Sequence, residues 1–180
     1  MPQICYRVVR SARKTVAIQI LPGADVVIRC PKNTTDRYIR ALVEKRRDWI
    51  LAQLARQPVV QPLTEDQLAL LRERAKLVFS QKVAQIAPLV GVTCGNVTVR
   101  FQSTRWGSCS GKGNLNFNGL LLLAPPEVLE YVVVHELCHR KEMNHSKKFW
   151  ALVEGILPDY LNRRKWLKEN GAALLARMPK

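Results

Sequence analysis

Acidic side chains are scarce. Asp and Glu number 14 against 29 Lys and Arg, which leaves a formal charge of +15. No tail accounts for the excess, because residues 1–90 hold 16 basic and 7 acidic side chains and residues 91–180 hold 13 and 7. Such a balance reads either as attraction to polyanions, nucleic acid being the simplest, or as a heavily solvated surface. Long apolar runs are also missing. Purely apolar stretches reach only a handful of residues, as at 120–124, far short of the roughly 20 needed to cross a bilayer. The first residues are broken by Arg7, Arg10 and Arg13, so no secretory signal core is seen and the cytoplasm is the expected address. The five cysteines are odd in number and form no CxxC pair. That argues against a disulfide framework or a four-thiolate zinc site and for reduced, buried thiols. Short repeats and sustained heptads are absent. Histidine is rare, with three in the whole chain.

What is present is an ordinary globular balance, 47% apolar and 24% charged over 180 residues. That length suits one domain with an added lobe. Val16, Ile18 and Ile20 alternate with smaller or polar residues. A Pro22-Gly23-Ala24-Asp25 turn and Val26-Val27-Ile28 follow, the pattern of a β-hairpin. Thr34-Thr35-Asp36 predicts a helix cap, with the helix running to about Arg56. The two prolines in 57–63 predict a connector. The expected organisation is a single domain, 1–180, with an N-terminal β-rich lobe and helix over 1–57 and a catalytic core over 63–180. Thr64 predicts a second helix that runs to about Ala87, with Glu65 and Asp66 in its first turn. Strands are expected at 97–101 and 114–118, separated by a glycine-bearing loop at 104–113. Pro125-Pro126-Glu127 opens a third helix, and a last helical stretch starts at Ser146 and breaks near Pro158.

All three histidines fall in one short segment, His135-Glu136-Leu137-Cys138-His139 followed by His145. Residues four apart on a helix differ by about 40° in azimuth and about 6 Å in height, so two imidazoles at that spacing converge on one ion. Glu136 stands beside them, placed to hold a water and take its proton. A catalytic zinc site needs a third protein ligand and an open position. On a continued helix His145 would lie about 15 Å further along the axis. The helix must therefore end, expected between Glu142 and Asn144, and the chain must fold back through a tight turn before a Ser146 cap. His135, His139 and His145 are the candidate metal ligands and Glu136 the candidate catalytic base. Zn2+ is the expected ion, one per chain, with nickel, cobalt or manganese as alternatives for three imidazoles. Cys138 points about 100° away from His139 and reads as core. Glu142 reads as solvated, with a partner of the histidines or a competing ligand as the alternatives.

The TRWGSCS loop at 104–110, the asparagine-bearing strand at 114–118, the YVVVHELCH run at 131–139 and the Asn144-His145-Ser146 and Phe149-Trp150 pairs together resemble the YgjP-like family of predicted metal-dependent hydrolases. That family is also described as SprT-like or Wss-type zinc metallopeptidases. The likeness covers most of the chain. It implies His135, His139 and His145 as ligands, Glu136 as base, and an α+β, zincin-like fold in which a twisted, mainly antiparallel sheet packs on the metal-bearing helix. Distant relatives of Spartan type act on proteins crosslinked to DNA, a resemblance in keeping with the positive charge.

Three further residues are candidates for substrate contact. Arg105 can meet developing negative charge or a phosphate, Trp106 can shape a pocket, and Asn116 sits on a strand read as a binding edge. For Arg105 and Trp106 the favoured reading is a connector packed under the site, and for Asn116 the alternative is a solvent-facing strand. The expected activity is metal-dependent peptide hydrolysis on a protein or peptide substrate, with nucleic acid met through the basic surface, no membrane, and a monomeric state. The competing readings are a nucleic-acid-binding module with a structural or vestigial metal site, and a hydrolase of a non-peptide amide.

Overall fold

A computed structural model describes residues 4–21, 25–56 and 61–179. The chain forms two compact units that divide at residues 60 and 61. No helix among the described residues is long and apolar enough to cross a membrane.

The first unit contains β1 (Arg7–Ser11), β2 (Ala17–Leu21), β3 (Asp25–Pro31), α1 (Asp36–Lys45) and α2 (Arg47–Ala55). β2 and β3 pair antiparallel, as the alternating pattern predicts; Pro22, Gly23 and Ala24 of the expected turn lie outside the described residues. β1 adds to the other side of β3 in parallel. Thr35 caps α1, its hydroxyl accepting from the Tyr38 amide. The single helix expected to about Arg56 is two helices. Arg46, at φ −105° and ψ 12°, leaves helical geometry and separates them. Ile28, Ile39 and Ile50 meet in this unit's own core.

The second unit holds α3 (Glu65–Val90), β4 (Val97–Arg100), β5 (Gly107–Cys109), β6 (Leu115–Asn118), a 3₁₀ turn (Gly119–Leu123), α4 (Pro126–Cys138), α5 (Lys147–Ile156) and α6 (Tyr160–Leu175). α3 starts with a capping box in which Thr64 and Gln67 satisfy each other's backbone amides. It ends at Gly91, whose φ of 70° suits glycine. Pro88 lies in the last turn rather than beyond it.

The sheet order is β4-β6-β5, with β4 parallel and β5 antiparallel to β6. The expectation of one mainly antiparallel sheet is therefore corrected. Each unit has its own three-stranded sheet with one pairing of each kind, because in both a leading strand joins the far side of a hairpin's second arm. The loop expected over 104–113 contains β5, three residues too short to show periodicity. β6 is the central strand, so the reading of 114–118 as a binding edge is also corrected. Phe79 of α3 stacks on Phe117 of β6, ring centroids 4.6 Å apart. α4 is apolar on nearly every side and lies inside the unit's core.

Candidate metal centre

The site grows out of α4. Pro125 and Pro126 enter the helix, and Val128, Leu129, Val132, Val133, Val134 and Leu137 anchor it in the core. Burial of so much apolar surface holds α4 rigid, and polar groups on it are carried inward. Glu136 is 6% exposed and His139 9%. Both lie in surroundings where an unpaired polar group is costly, so their retention there needs a chemical reason.

The helix ends at Cys138, with His139 as its C-cap, about one turn earlier than the sequence predicts. Arg140 makes that early end possible. Its guanidinium reaches the carbonyls of Thr93, at 3.0 Å, and Gly111, and ties the departing chain to two loops. Gly113 leaves room for it, since a Cβ there would stand 2.7 Å from Arg140 Cζ. The chain then returns through 141–146, and Ser146 caps α5 by accepting from the Phe149 amide at 3.3 Å.

This return brings His145 over α4. The ligand nitrogens of His135, His139 and His145 lie within 4.8 Å of one another, and the Nε2 atoms of His135 and His145 are 2.9 Å apart. The carbonyl of Glu142 can only accept, so the His139 ring donates its Nδ1 proton there, at 3.1 Å. That contact leaves the His139 Nε2 lone pair facing its neighbours. The sequence favours a solvated Glu142 side chain; in the structure its backbone oxygen, not its carboxylate, meets the His139 ring. His135 Nδ1 is buried without a hydrogen-bond partner. Phe149, fully buried, lies 4.5–4.8 Å from all three rings and forms the floor of the cluster. Trp150 stacks on His145 at 5.7 Å and carries the Arg164 guanidinium over its own face at 4.6 Å.

The electrostatics suit ligation. Burial lowers the His135 imidazole to about 3, with further lowering from His139, His145 and Arg164. Burial also lowers His139, against the raising effect of its bond to Glu142. Both rings are thus neutral near pH 7 and keep a lone pair. Burial pushes the Glu136 carboxyl up to about 7, partly offset by the positive charge of Arg105. A carboxyl titrating near neutrality is well matched to proton transfer. An all-imidazole donor set of this kind suits a divalent transition ion such as zinc. A cation set between the Nε2 atoms of His135 and His145 would meet both lone pairs at once.

The cluster opens into a cavity of about 280 Å³ lined by Gly107, Ser108, Cys109, Glu136 and Met143 together with the three histidines. Gly107 is the residue sequence reasoning undervalued. It sits in a strand, and a Cβ there would stand 2.6 Å from Glu136 Oε1. Its signal in the sequence was only a glycine in a loop. Arg105 is exposed and lines the neighbouring groove, as does Asn116, whose carboxamide oxygen accepts from the Thr98 hydroxyl at 3.1 Å. Trp106 instead packs into the core, its ring 3.0 Å from where a Cβ on Gly171 would be. Asn118 is fully buried. Its amide nitrogen donates to the Gln102 and Arg105 carbonyls, and its oxygen accepts from the Leu120 amide. It fixes the approach to β5. Cys138 is buried in the core, as expected.

The family model described as YgjP-like, metallopeptidase domain, matches residues 14–69 and 63–170. Among solved structures, the metallopeptidase zymogen abylysin of Pyrococcus abyssi is similar at 22% identity and a TM-score of 0.47, over 56% of this chain and 99% of that one. The metallopeptidase zymogen jannalysin of Methanocaldococcus jannaschii is similar at 19% identity and a TM-score of 0.45, over 51% of this chain and 94% of that one. No curated protein matches the chain.

Proposed function

The chain belongs to the YgjP-like family of metallopeptidase domains, and from that premise we propose that it is a zinc-dependent peptidase with a zincin-like catalytic unit. The observation behind this reading is the meeting of three imidazole nitrogens within 4.8 Å beside a buried carboxyl pushed up to about 7. His135, His139 and His145 would hold the ion. When bound, it supplies Lewis-acid polarisation of a carbonyl and makes a neighbouring water more acidic.

The protein's own residues do the rest. Glu136, ionised once the pH passes its raised value, accepts a proton at its carboxylate from water entering the cavity. It then delivers that proton to the nitrogen of the leaving amine. Gly107 leaves that carboxylate its space, and Phe149 keeps the three rings together. The charge of Arg105 favours the ionised form of Glu136 and so offsets part of the effect of burial. A purely structural ion is disfavoured, because structural zinc sites use four protein ligands and are rich in thiolate. The described residues bring three histidines together here, and the cavity in front of them is open.

A peptide or protein substrate, a monomeric state and a cytoplasmic setting belong to the same proposal, as does contact with nucleic acid through the positive surface. Glu136→Gln tests it. The variant keeps its metal, measured by elemental analysis, and loses hydrolysis of a peptide library. Full activity in that variant removes Glu136 as the base.

A further inference from the structure

One face of the β4-β6-β5 sheet packs on the core through Val97, Val99, Leu115 and Phe117. The alternation of strands sends Thr98, Arg100, Asn116 and Ser108 to the other face. There a groove of about 630 Å³ runs between Asn96 and Arg105. Ser108 and Cys109 of β5 line both this groove and the histidine cavity, so the two are neighbours across that strand.

Its chemistry is one-sided. Arg100 and Arg105 both line it, and no acidic residue does. Among the described residues neither arginine has an ion pair or a side-chain hydrogen bond. The remaining lining is mostly amide and hydroxyl, groups that both donate and accept as a peptide backbone requires. No aromatic side chain lines the groove, so stacked bases find no platform there. The Arg105 backbone is held by Asn118, so that guanidinium projects from a fixed point. Exposed guanidinium forks that make no hydrogen bond or ion pair favour carboxylates, which they meet with two hydrogen bonds.

We infer that this groove binds the acidic side chains of an extended substrate segment next to the scissile bond, with Arg100 and Arg105 as the residues that select it. The inference rests on the peptidase reading and adds a substrate class to it: peptides with Asp or Glu a few residues from the point of cleavage. Neutral peptides still reach the histidines but lack the anchor. Lysine-bearing ones are repelled.

Binding is measured with zinc-loaded Glu136→Gln protein and fluorescent peptides of one sequence that carry paired Glu, paired Gln or paired Lys. The Glu peptide binds about tenfold more tightly than the Gln peptide at low ionic strength, and the advantage shrinks with added salt. Adding Arg100→Glu, whose charge cancels that of the remaining Arg105, removes the preference, and adding Arg100→Gln only weakens it. Arg100 is exposed, so circular dichroism and thermal melting of both variants match the parent. Equal binding of Glu and Gln peptides, or a preference that survives Arg100→Glu, overturns the inference. So does tighter binding of inorganic triphosphate or a single-stranded oligonucleotide than of the Glu peptide at equal ionic strength. Cleavage by the unaltered protein separates the two levels. Equal turnover of Glu and Gln peptides defeats this inference and leaves the peptidase reading standing, whereas turnover of none defeats the peptidase reading itself.

Discussion

Gly107 and Glu136 share a space that admits only one side chain: a Cβ on the glycine would stand 2.6 Å from the glutamate's Oε1, 2.7 Å from its Cγ and 2.9 Å from its Cδ. The carboxylate lies directly over the backbone of β5. That contact ties Glu136 on α4 to the loop-and-strand segment at 104–110 and explains why the two distinctive stretches of the sequence belong together.

Gly107→Ala therefore displaces the Glu136 carboxylate while leaving the three histidines in place. The expected result is an unchanged zinc content and a fall in kcat of about a hundredfold, the usual scale for a misplacement of about an ångström. Activity within twofold of the unaltered protein would show that the carboxylate has room to move.

Asn118→Ala leaves the carbonyls of Gln102 and Arg105 and the amide of Leu120 without their buried partner. Each unmet group costs about 1–3 kcal/mol. Urea denaturation should show a loss of several kcal/mol, and limited proteolysis should open the chain first between 102 and 106. Asn118→Asp is expected to be as harmful, since it replaces the donor with a second acceptor.

Phe149→Ala removes the floor beneath all three rings. A fully buried phenylalanine costs about 3–5 kcal/mol on truncation. Chelator competition should show weaker metal retention too, because the imidazoles lose the surface that orients them. Phe149→Leu restores most of the stability and less of the affinity.

In the metal-free protein His135 and Glu136 pull the stability profile in opposite directions, with His139 acting on the side of His135. His135 falls from 6.5 to about 3 on folding, so its contribution is present above pH 6.5 and is lost as the pH drops toward 3. Glu136 rises from 4.5 to about 7, so its contribution is present below pH 4.5 and is lost as the pH climbs through 7. Between 4.5 and 6.5 the two slopes oppose each other, and thermal melting should show a plateau there with a decline on either side. Glu136→Gln abolishes the alkaline decline and turns the plateau into a continued rise up to pH 6.5. Added zinc raises the melting temperature more as the pH increases, since protons no longer compete for the imidazoles. A profile that is flat from pH 3 to 8 rules out burial as the cause.

The histidine cluster was legible because it depends on local geometry. Histidines four apart on a helix face the same way whatever surrounds them, and the need for a third ligand forced a return near His145. The Thr35, Thr64 and Ser146 caps were legible for the same reason. The break at Arg46 and the early end of α4 were not. At Arg46 no proline or glycine marks the change, and the end of α4 is stabilised by Arg140 reaching carbonyls 47 and 29 residues away in the chain.

From the chain of residues alone came the identity of the histidines, the glutamate beside them and the uncompensated positive charge, since those follow from spacing and composition. Tertiary structure decided that β6 is an inner strand, that Trp106 packs on Gly171 while Arg105 faces a groove, and that Gly107 yields its side-chain space to Glu136. The reason is physical. Helical phase and capping are settled within a few residues, whereas strand order and the sharing of volume are settled only when distant segments compete for the same core.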